Sequence, residues 1–308
     1  MSKNINENLH PEISVVIPFY GNIEDLINSL NGLKNQTFNK CFEVIVAESG
    51  KNPELKKIIS SIPNAVLISC ETIMYPGKAR NLGAANSKSN LIAFIDADCV
   101  PKSDWLFEIY TSLINQSEIV IGPVINLFPF HPVASVDNLL QFPDFQKNRP
   151  AKNISHFPAC NFGITKNLFY QTVGFPENIL TGEDVLFSQS VLKKNKDKVF
   201  YNCRQIVKHS GRKDLKSFVK HNSSLGFHRG YLNLKISGKI RKNRDNFLLA
   251  LMFGIRRLIY ISARTLQWNP LGIFRIIFFF PFLIIGLSAW IQGFRKGNKK
   301  YIEENFEA

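Results

Sequence analysis

Short apolar runs, each closing on a small polar group, alternate with stretches of helical apolar spacing over the first 120 or so residues. Ile13–Phe19 is an apolar run ending in Pro18, Tyr20 and Gly21, and Ile23, Leu26, Ile27, Leu30 and Leu33 follow at helical spacing. Phe42–Ala47 predicts a second strand, ended by Glu48-Ser49-Gly50; Pro53–Ser61 a short helix; Ala65–Ser69 a third strand; and Gly77–Asn86 a helix after a Pro-Gly break. Leu91–Ile95 predicts a fourth strand, closed by Asp96-Ala97-Asp98. Ser103 is placed to cap a helix running to about Ile114, and Glu118–Ile125 predicts a further strand. Phe128–Pro150, rich in Phe and Pro, reads as a loop or short helix on the rim of a cleft. Phe157–Thr165 reads as another strand and Glu183–Leu192 as a helix. This alternation implies a sheet built from strand-helix-strand units with right-handed crossovers.

Runs of apolar residues without alternation suit strands buried on both faces. Ligand sites in such sheets lie at the carboxyl ends of the strands. Asp96 and Asp98 fall at such an end, where carboxylates suit a hard divalent cation that shares oxygen ligands with a phosphate. The same residues also suit a turn cap and the start of the next helix.

With 308 residues the chain has room for one large α/β domain and an appendage, and 45% hydrophobic against 20% charged residues excludes wholesale disorder. The net charge is +14, concentrated between Lys193 and Asp245, where 16 Lys and Arg face 3 acidic residues. That block is either a solvated basic face or a seat for an anionic partner, an anionic membrane surface or a lipid-linked pyrophosphate. No nucleic-acid recognition motif accompanies it, so nucleic acid is not expected. Five widely spaced cysteines without a CxxC pair argue for a reducing compartment. Met1–His10 is polar and has no signal-like apolar core. Asn35, Asn153 and Asn222 begin Asn-x-Ser/Thr triplets, which carry no meaning in a cytosolic protein.

The ordered clusters Pro18-Phe19-Tyr20, Glu48-Ser49-Gly50, Gly77-Lys78-Ala79-Arg80-Asn81, Asp96-Ala97-Asp98, Thr181-Gly182-Glu183-Asp184 and Val207-Lys208-His209 together resemble the family 2 glycosyltransferases over about residues 13–230. The resemblance implies an α/β protein of the GT-A (Rossmann-like) fold. Its central sheet is mixed and mostly parallel, flanked by helices, with a C-terminal helical membrane-associated appendage. The domains expected are a polar tail at 1–12, the catalytic domain at 13–235, and a basic linker with C-terminal apolar helices at 236–308. It implies donor-binding roles for Pro18, Tyr20, Glu48, Lys78, Arg80 and Asp96. Glu48 stands where the family usually has aspartate, and Arg80-Asn81 with Gly83 matches Arg-Asn-x-Gly. Arginine suits such a site because its planar fork binds phosphate or base edges bidentately. Asp98 is implied as the metal ligand, Asp96 as a ribose or metal contact, and His209 as a further metal ligand. Asp184 is implied as the catalytic base, with Glu183 beside it, and Asn161 as an acceptor contact.

The activity implied is transfer of a sugar, with inversion, from a nucleotide-diphosphate sugar (UDP-sugar foremost) to a hydroxyl of a saccharide or lipid-linked saccharide. Mg²⁺ or Mn²⁺ is the implied cofactor, and surface polysaccharide or glycolipid synthesis the setting. The Gln-x-x-Arg-Trp motif of processive members is absent, which favours adding one sugar per encounter. A non-catalytic nucleotide-sugar-binding scaffold on the membrane, or a nucleotidyltransferase, are the alternatives.

Phe247–Ser262 is apolar but carries Arg256-Arg257 at its middle, which suits an interfacial helix better than a span. Ile276–Phe294 has no charge over 19 residues, long enough to cross a membrane. Arg241, Lys242 and Arg244 before the unit, and Arg295, Lys296, Lys299 and Lys300 after it, fit a re-entrant or hairpin anchor with both termini cytoplasmic, so the expected place is the cytoplasmic face of the cell membrane, peripheral or anchored by these helices. Helices packed on the catalytic domain or serving oligomerisation are the other reading.

Overall fold

The computed structural model describes residues 10–150, 154–237 and 247–306. Most of the expected tail, Asn153, and Arg241, Lys242 and Arg244 lie outside the described residues. In chain order the first elements are β1 (Ile13–Phe19), α1 (Ile23–Lys34), β2 (Phe42–Ser49), α2 (Pro53–Ser60), β3 (Ala65–Cys70), α3 (Pro76–Ala85) and β4 (Leu91–Ile95). Next come β5 (Cys99–Pro101), α4 (Trp105–Asn115), β6 (Ile119–Ile121), β7 (Val124–Asn126), α5 (Pro132–Gln141), β8 (Asn161–Thr165) and α6 (Lys166–Tyr170). The chain continues through α7 (Glu183–Asn195), β9 (Val199–Tyr201), β10 (Val207–His209), α8 (Leu215–Ser237), α9 (Phe247–Trp268), α10 (Ile273–Phe278) and α11 (Phe280–Phe306).

The chain forms two compact units. One comprises the residues up to Pro123 with Pro150–Lys208; the other comprises Val124–Arg149 with His209 to the C-terminus. These divisions fall at other residues than the 235/236 boundary read from the sequence.

The first unit is built on a seven-stranded sheet in the order β3-β2-β1-β4-β8-β6-β9. β3, β2, β1 and β4 are parallel, β8 runs antiparallel to both β4 and β6, and β9 is parallel to β6. This is the mixed, mostly parallel sheet the sequence predicts. Ile13, Val15, Val16 and Ile17 are all buried, as expected of a strand covered on both faces. The polar exceptions are paired: the Ser14 hydroxyl donates to Glu43 at 2.6 Å, and the Lys88 backbone N–H donates to the same carboxylate oxygen at 2.6 Å. Helix α3 lies close on β1, because a Cβ on Gly83 would stand 2.3 Å from the Val16 side chain.

Several boundaries differ from the sequence reading. Strand β2 runs through Glu48 and Ser49 instead of ending before them. Asp104, not Ser103, precedes α4, and it makes no capping hydrogen bond. The strand expected over Glu118–Ile125 is split into β6 and β7 at Gly122-Pro123, where a Cβ on Gly122 would meet the Gln205 carbonyl oxygen at 1.9 Å.

The second unit is helical. The stretch read as a rim loop contains α5, whose Val133, Val136, Leu139 and Leu140 form a buried core with Phe218, Ile261, Leu283 and Leu287. Helix α8 occupies a stretch that the sequence marks only by its charge. It meets α11 through two Gly-x-x-x-Gly pairs, Gly226/Gly230 and Gly293/Gly297. A Cβ on any of the four would stand 1.9 to 2.3 Å from a carbonyl oxygen of the partner helix, so the backbones touch directly. The uncharged stretch Ile276–Phe294 is broken between α10 and α11. Among the described residues no single helix is long and apolar enough to cross a membrane; Pro270–Phe278 with Phe280–Asn305 qualifies only as a pair bent by 84°.

Candidate active site

The carboxyl end of β4 carries Asp96 and, one tight turn on, Asp98; the Cys99 backbone N–H donates to the Asp96 carbonyl oxygen at 3.0 Å. Helix α7 brings Glu183 and Asp184 to the same place. Its start is set by Gly182, whose φ of 93° is in the left-handed region that glycine adopts without strain. Two acidic residues in the first turn suit the helix dipole. A packed aromatic cluster holds α7 down. Phe187, one turn after Asp184, stacks on Phe175 at 4.0 Å, and Phe94 on β4 stacks on Phe162 on β8 at 4.7 Å.

Arg80 joins these elements. From α3 its two terminal nitrogens donate to Asp96 at 2.6 Å and to Glu183 at 2.7 Å, while the guanidinium lies over the Phe175 ring at 5.4 Å. Against the penalty of burial, Asp96 and Glu183 hold it protonated above its ordinary range. The side chain is buried with both terminal nitrogens engaged. Its fork is thus engaged by two carboxylates of the protein, where the resemblance implies a contact to the donor. Asn81 next to it clips the 174–177 loop, exchanging 2.9 Å bonds with the Phe175 N–H and carbonyl.

Asp184 stays outside that clamp. Its carboxylate accepts from the Val185 N–H at 2.8 Å and is partly exposed. Burial first, then the charges of Glu183 and Asp96, outweigh Arg80 and raise its pKa to about 7. Beneath the carboxylates lie two buried thiols, Cys99 and Cys160, in hydrogen-bond contact. Against that bond, which lowers it, burial and the charges of Asp96, Asp98 and Asp184 raise the Cys160 thiol. Asp96, Asp98 and Asp184 are thus all close enough for their charges to act on the Cys160 thiol, next to β8.

Five further residues singled out in the sequence differ in burial and partners. Glu48 is buried in β2, and its carboxylate accepts from the Asn52 N–H at 2.7 Å and from the Ser69 hydroxyl. Asn161, which the resemblance implies as an acceptor contact, is wholly buried. Its oxygen accepts from the Trp105 indole at 2.8 Å and its amide donates to the Pro123 and Gln205 carbonyls, which fixes the end of β8. His209 belongs to the second unit, buried with its ring edge-on to Phe142 at 5.1 Å. Among the described residues no three His, Cys, Asp or Glu side chains form a metal-holding group, so none containing His209 exists there. Tyr20 is 73% exposed just past β1, and Lys78 is exposed on α3. The residues that sequence reasoning missed are Phe175 and Phe187, Cys160, and Trp105 and Gln205, the partners of Asn161; the nearest signal was the density of phenylalanine, 26 in the chain.

The carboxylates are hard oxygen donors, and a cation would relieve the repulsion that raises Asp184. Asp98, with phosphate oxygens completing the shell, therefore fits a divalent ion, whereas an all-protein cage does not.

A mixed sheet of this topology with carboxylates at its strand ends is that of the GT-A glycosyltransferases. The family model of glycosyl transferase family 2 matches residues 14–172, more than half of the chain, and the chain belongs to that family. It is 27% identical over 181 residues to glycosyltransferase AglE of Haloferax volcanii, covering 57% of this chain and 59% of that protein. It is 23% identical over 228 residues to the pre-mycofactocin glycosyltransferase of Mycobacterium tuberculosis, covering 70% of this chain and 46% of that one. The chain thus spans about half the length of these relatives. Among solved structures it resembles the mannosyltransferase PcManGT of Pyrobaculum calidifontis in complex with GDP-Man and Mn²⁺, with 12% identity and a TM-score of 0.60 over 94% of this chain and 88% of that one. It also resembles S. aureus TarS 1–349 in complex with UDP-GlcNAc, with 15% identity and a TM-score of 0.52 over 96% and 93%. At these identities the structural likenesses speak for the fold alone.

Proposed function

We propose that this protein transfers a sugar, with inversion, from a nucleotide-diphosphate sugar to a hydroxyl of a saccharide or lipid-linked saccharide, with Asp184 as the general base. One observation carries this: of two adjacent carboxylates, Glu183 is tied to Arg80, and Asp184 is left accessible with a pKa near 7. A sugar hydroxyl is a poor nucleophile, and a carboxylate of that basicity can take its proton in the transition state at neutral pH. Tyr20 offers an exposed ring for the base, with Pro18 beside it and Lys78 supplying charge for the phosphates. Asp96 and Asp98 face the ribose and diphosphate side. When bound there, Mg²⁺ or Mn²⁺ neutralises charge on the leaving diphosphate. UDP is the nucleotide favoured, in line with the sequence resemblance. Arg80, Glu48 and Asn161 act through other residues: they hold β2, β4, β8 and α7 in register.

Part of the proposal is its place: the cytoplasmic face of a membrane, in glycolipid or surface polysaccharide synthesis.

A screen of UDP-, GDP- and dTDP-sugars with Mn²⁺ identifies the donor by its hydrolysis. Asp184→Asn is then expected to lower turnover about 10²–10⁴-fold, the usual general-base contribution, with donor affinity by calorimetry nearly unchanged. Turnover equal to wild type in that variant would sink the assignment.

A further inference from the structure

The second unit presents an apolar surface that its own core does not explain. On α9, Met252, Ile255, Ile259 and Leu266 recur at helical spacing and point outward, with Met252 65% exposed. The surface continues through Leu271 (77% exposed) and Phe278 (75% exposed). Soluble proteins rarely leave contiguous apolar surface of this kind uncovered.

The charges on the same segment are all of one sign. Residues 247–302 hold eight Lys and Arg and no Asp or Glu. The two arginines in the middle of α9 divide. Arg257 turns inward, donating to the Leu140 carbonyl at 2.7 Å and lying 4.8 Å from the Trp290 ring centre, while Arg256 stays exposed beside Ile255 and Ile259. On α10, Arg275 stands between the exposed Phe274 and Phe278. Arginine set among apolar side chains can bury its stem and keep its charge at a lipid headgroup.

The opposite faces are already used. Ile276, Leu283 and Leu287 pack into the core against α5. A segment with one side sealed against its own unit has only the other side for lipid, and this argues against a span. A second copy of the chain is a poor occupant, because two such faces would bring Arg256 and Arg275 of one against those of the other with no acidic side chain among residues 247–302 to offset them.

We infer that the outer face of α9, α10 and the start of α11 lies in the plane of an anionic bilayer, its apolar side chains sunk to the acyl boundary and its arginines at the headgroups. This rests on the membrane reading above and specifies how it is met: a one-sided insertion, neither a span nor a purely ionic contact.

The test uses the full chain and vesicles of phosphatidylcholine with a quarter phosphatidylglycerol, with lipid-free controls. Sedimentation with these vesicles is expected to persist at 0.5 M NaCl and to be weaker with phosphatidylcholine alone. Ile259→Glu with Phe278→Glu changes two exposed positions, and its folding is checked by circular dichroism. It is expected to lower partitioning at least tenfold, and Val173→Glu, an exposed apolar site in the first unit, to leave it unchanged. If wild type does not sediment with any vesicle, the membrane reading falls and the inference with it. Complete release by salt, or partitioning that the double variant does not change, overturns the inference and leaves the membrane reading standing. A stable dimer that the double variant dissolves would also overturn it.

Discussion

At the scale of residues, the site turns on how one arginine divides two neighbouring acids. Arg80 neutralises Asp96 and Glu183, so Asp184 carries the excess negative charge and its pKa rises to about 7. Turnover should therefore climb with pH as Asp184 loses its proton and level off above about pH 8, one unit past that value; a pH–rate profile checks this. The same shift has the opposite sign for stability. The folded carboxyl holds its proton more tightly than the unfolded one, so its contribution is present below pH 3.8 and is lost as pH rises through about 7. Replacing Arg80 with Met should leave two acids unpaired and cost about 3–5 kcal/mol in urea unfolding, the range for breaking a buried ion pair. It should also push the limb of the pH–rate profile to higher pH, because Arg80 is the charge that holds Asp184 down. Asp96 and Asp98 stand out in the sequence as a pair closing an apolar run, and Asp184 is marked only by the resemblance to the family. The burial of Glu48 and Asn161 could not be read there, since both are polar and their partners, Ser69 for one and Trp105 and Gln205 for the other, lie 21 to 56 residues away.

Among the elements, periodicity located β1 to β4 and α1 to α3 to within a few residues, because each is an unbroken local pattern. It failed for β9, β10 and α6, three to five residues long, which only their neighbours specify. It failed also for α8, where Gly226 and Gly230 look like helix breakers until α11 is beside them. Gly293→Ala tests that contact. Alanine gains about 1 kcal/mol of helix propensity over glycine. Its Cβ, however, would stand 1.9 Å from the Ser223 carbonyl oxygen, which is backbone and cannot rotate away. Overpacking typically costs about 1–3 kcal/mol, so the net change is expected to be destabilising, read as a lowered Tm.

For the whole molecule, a charge of +14 and an exposed apolar face act against each other in solution. Repulsion keeps copies apart while it is unscreened, and at 1 M salt the screening length shrinks to about 3 Å. Light scattering of the lipid-free protein should accordingly show growing particles as NaCl is raised, reversed by mild detergent. The alternation of apolar runs and helices determined the α/β sheet, and the acidic clusters at the run ends determined which edge of it carries the chemistry. Both are local patterns that a strand or helix displays whatever surrounds it. Only the tertiary structure decided what each clustered residue does. The Asp96–Arg80–Glu183 clamp joins three elements up to 103 residues apart, and whether a carboxylate is bound, buried or left to titrate depends on which charges packing brings against it.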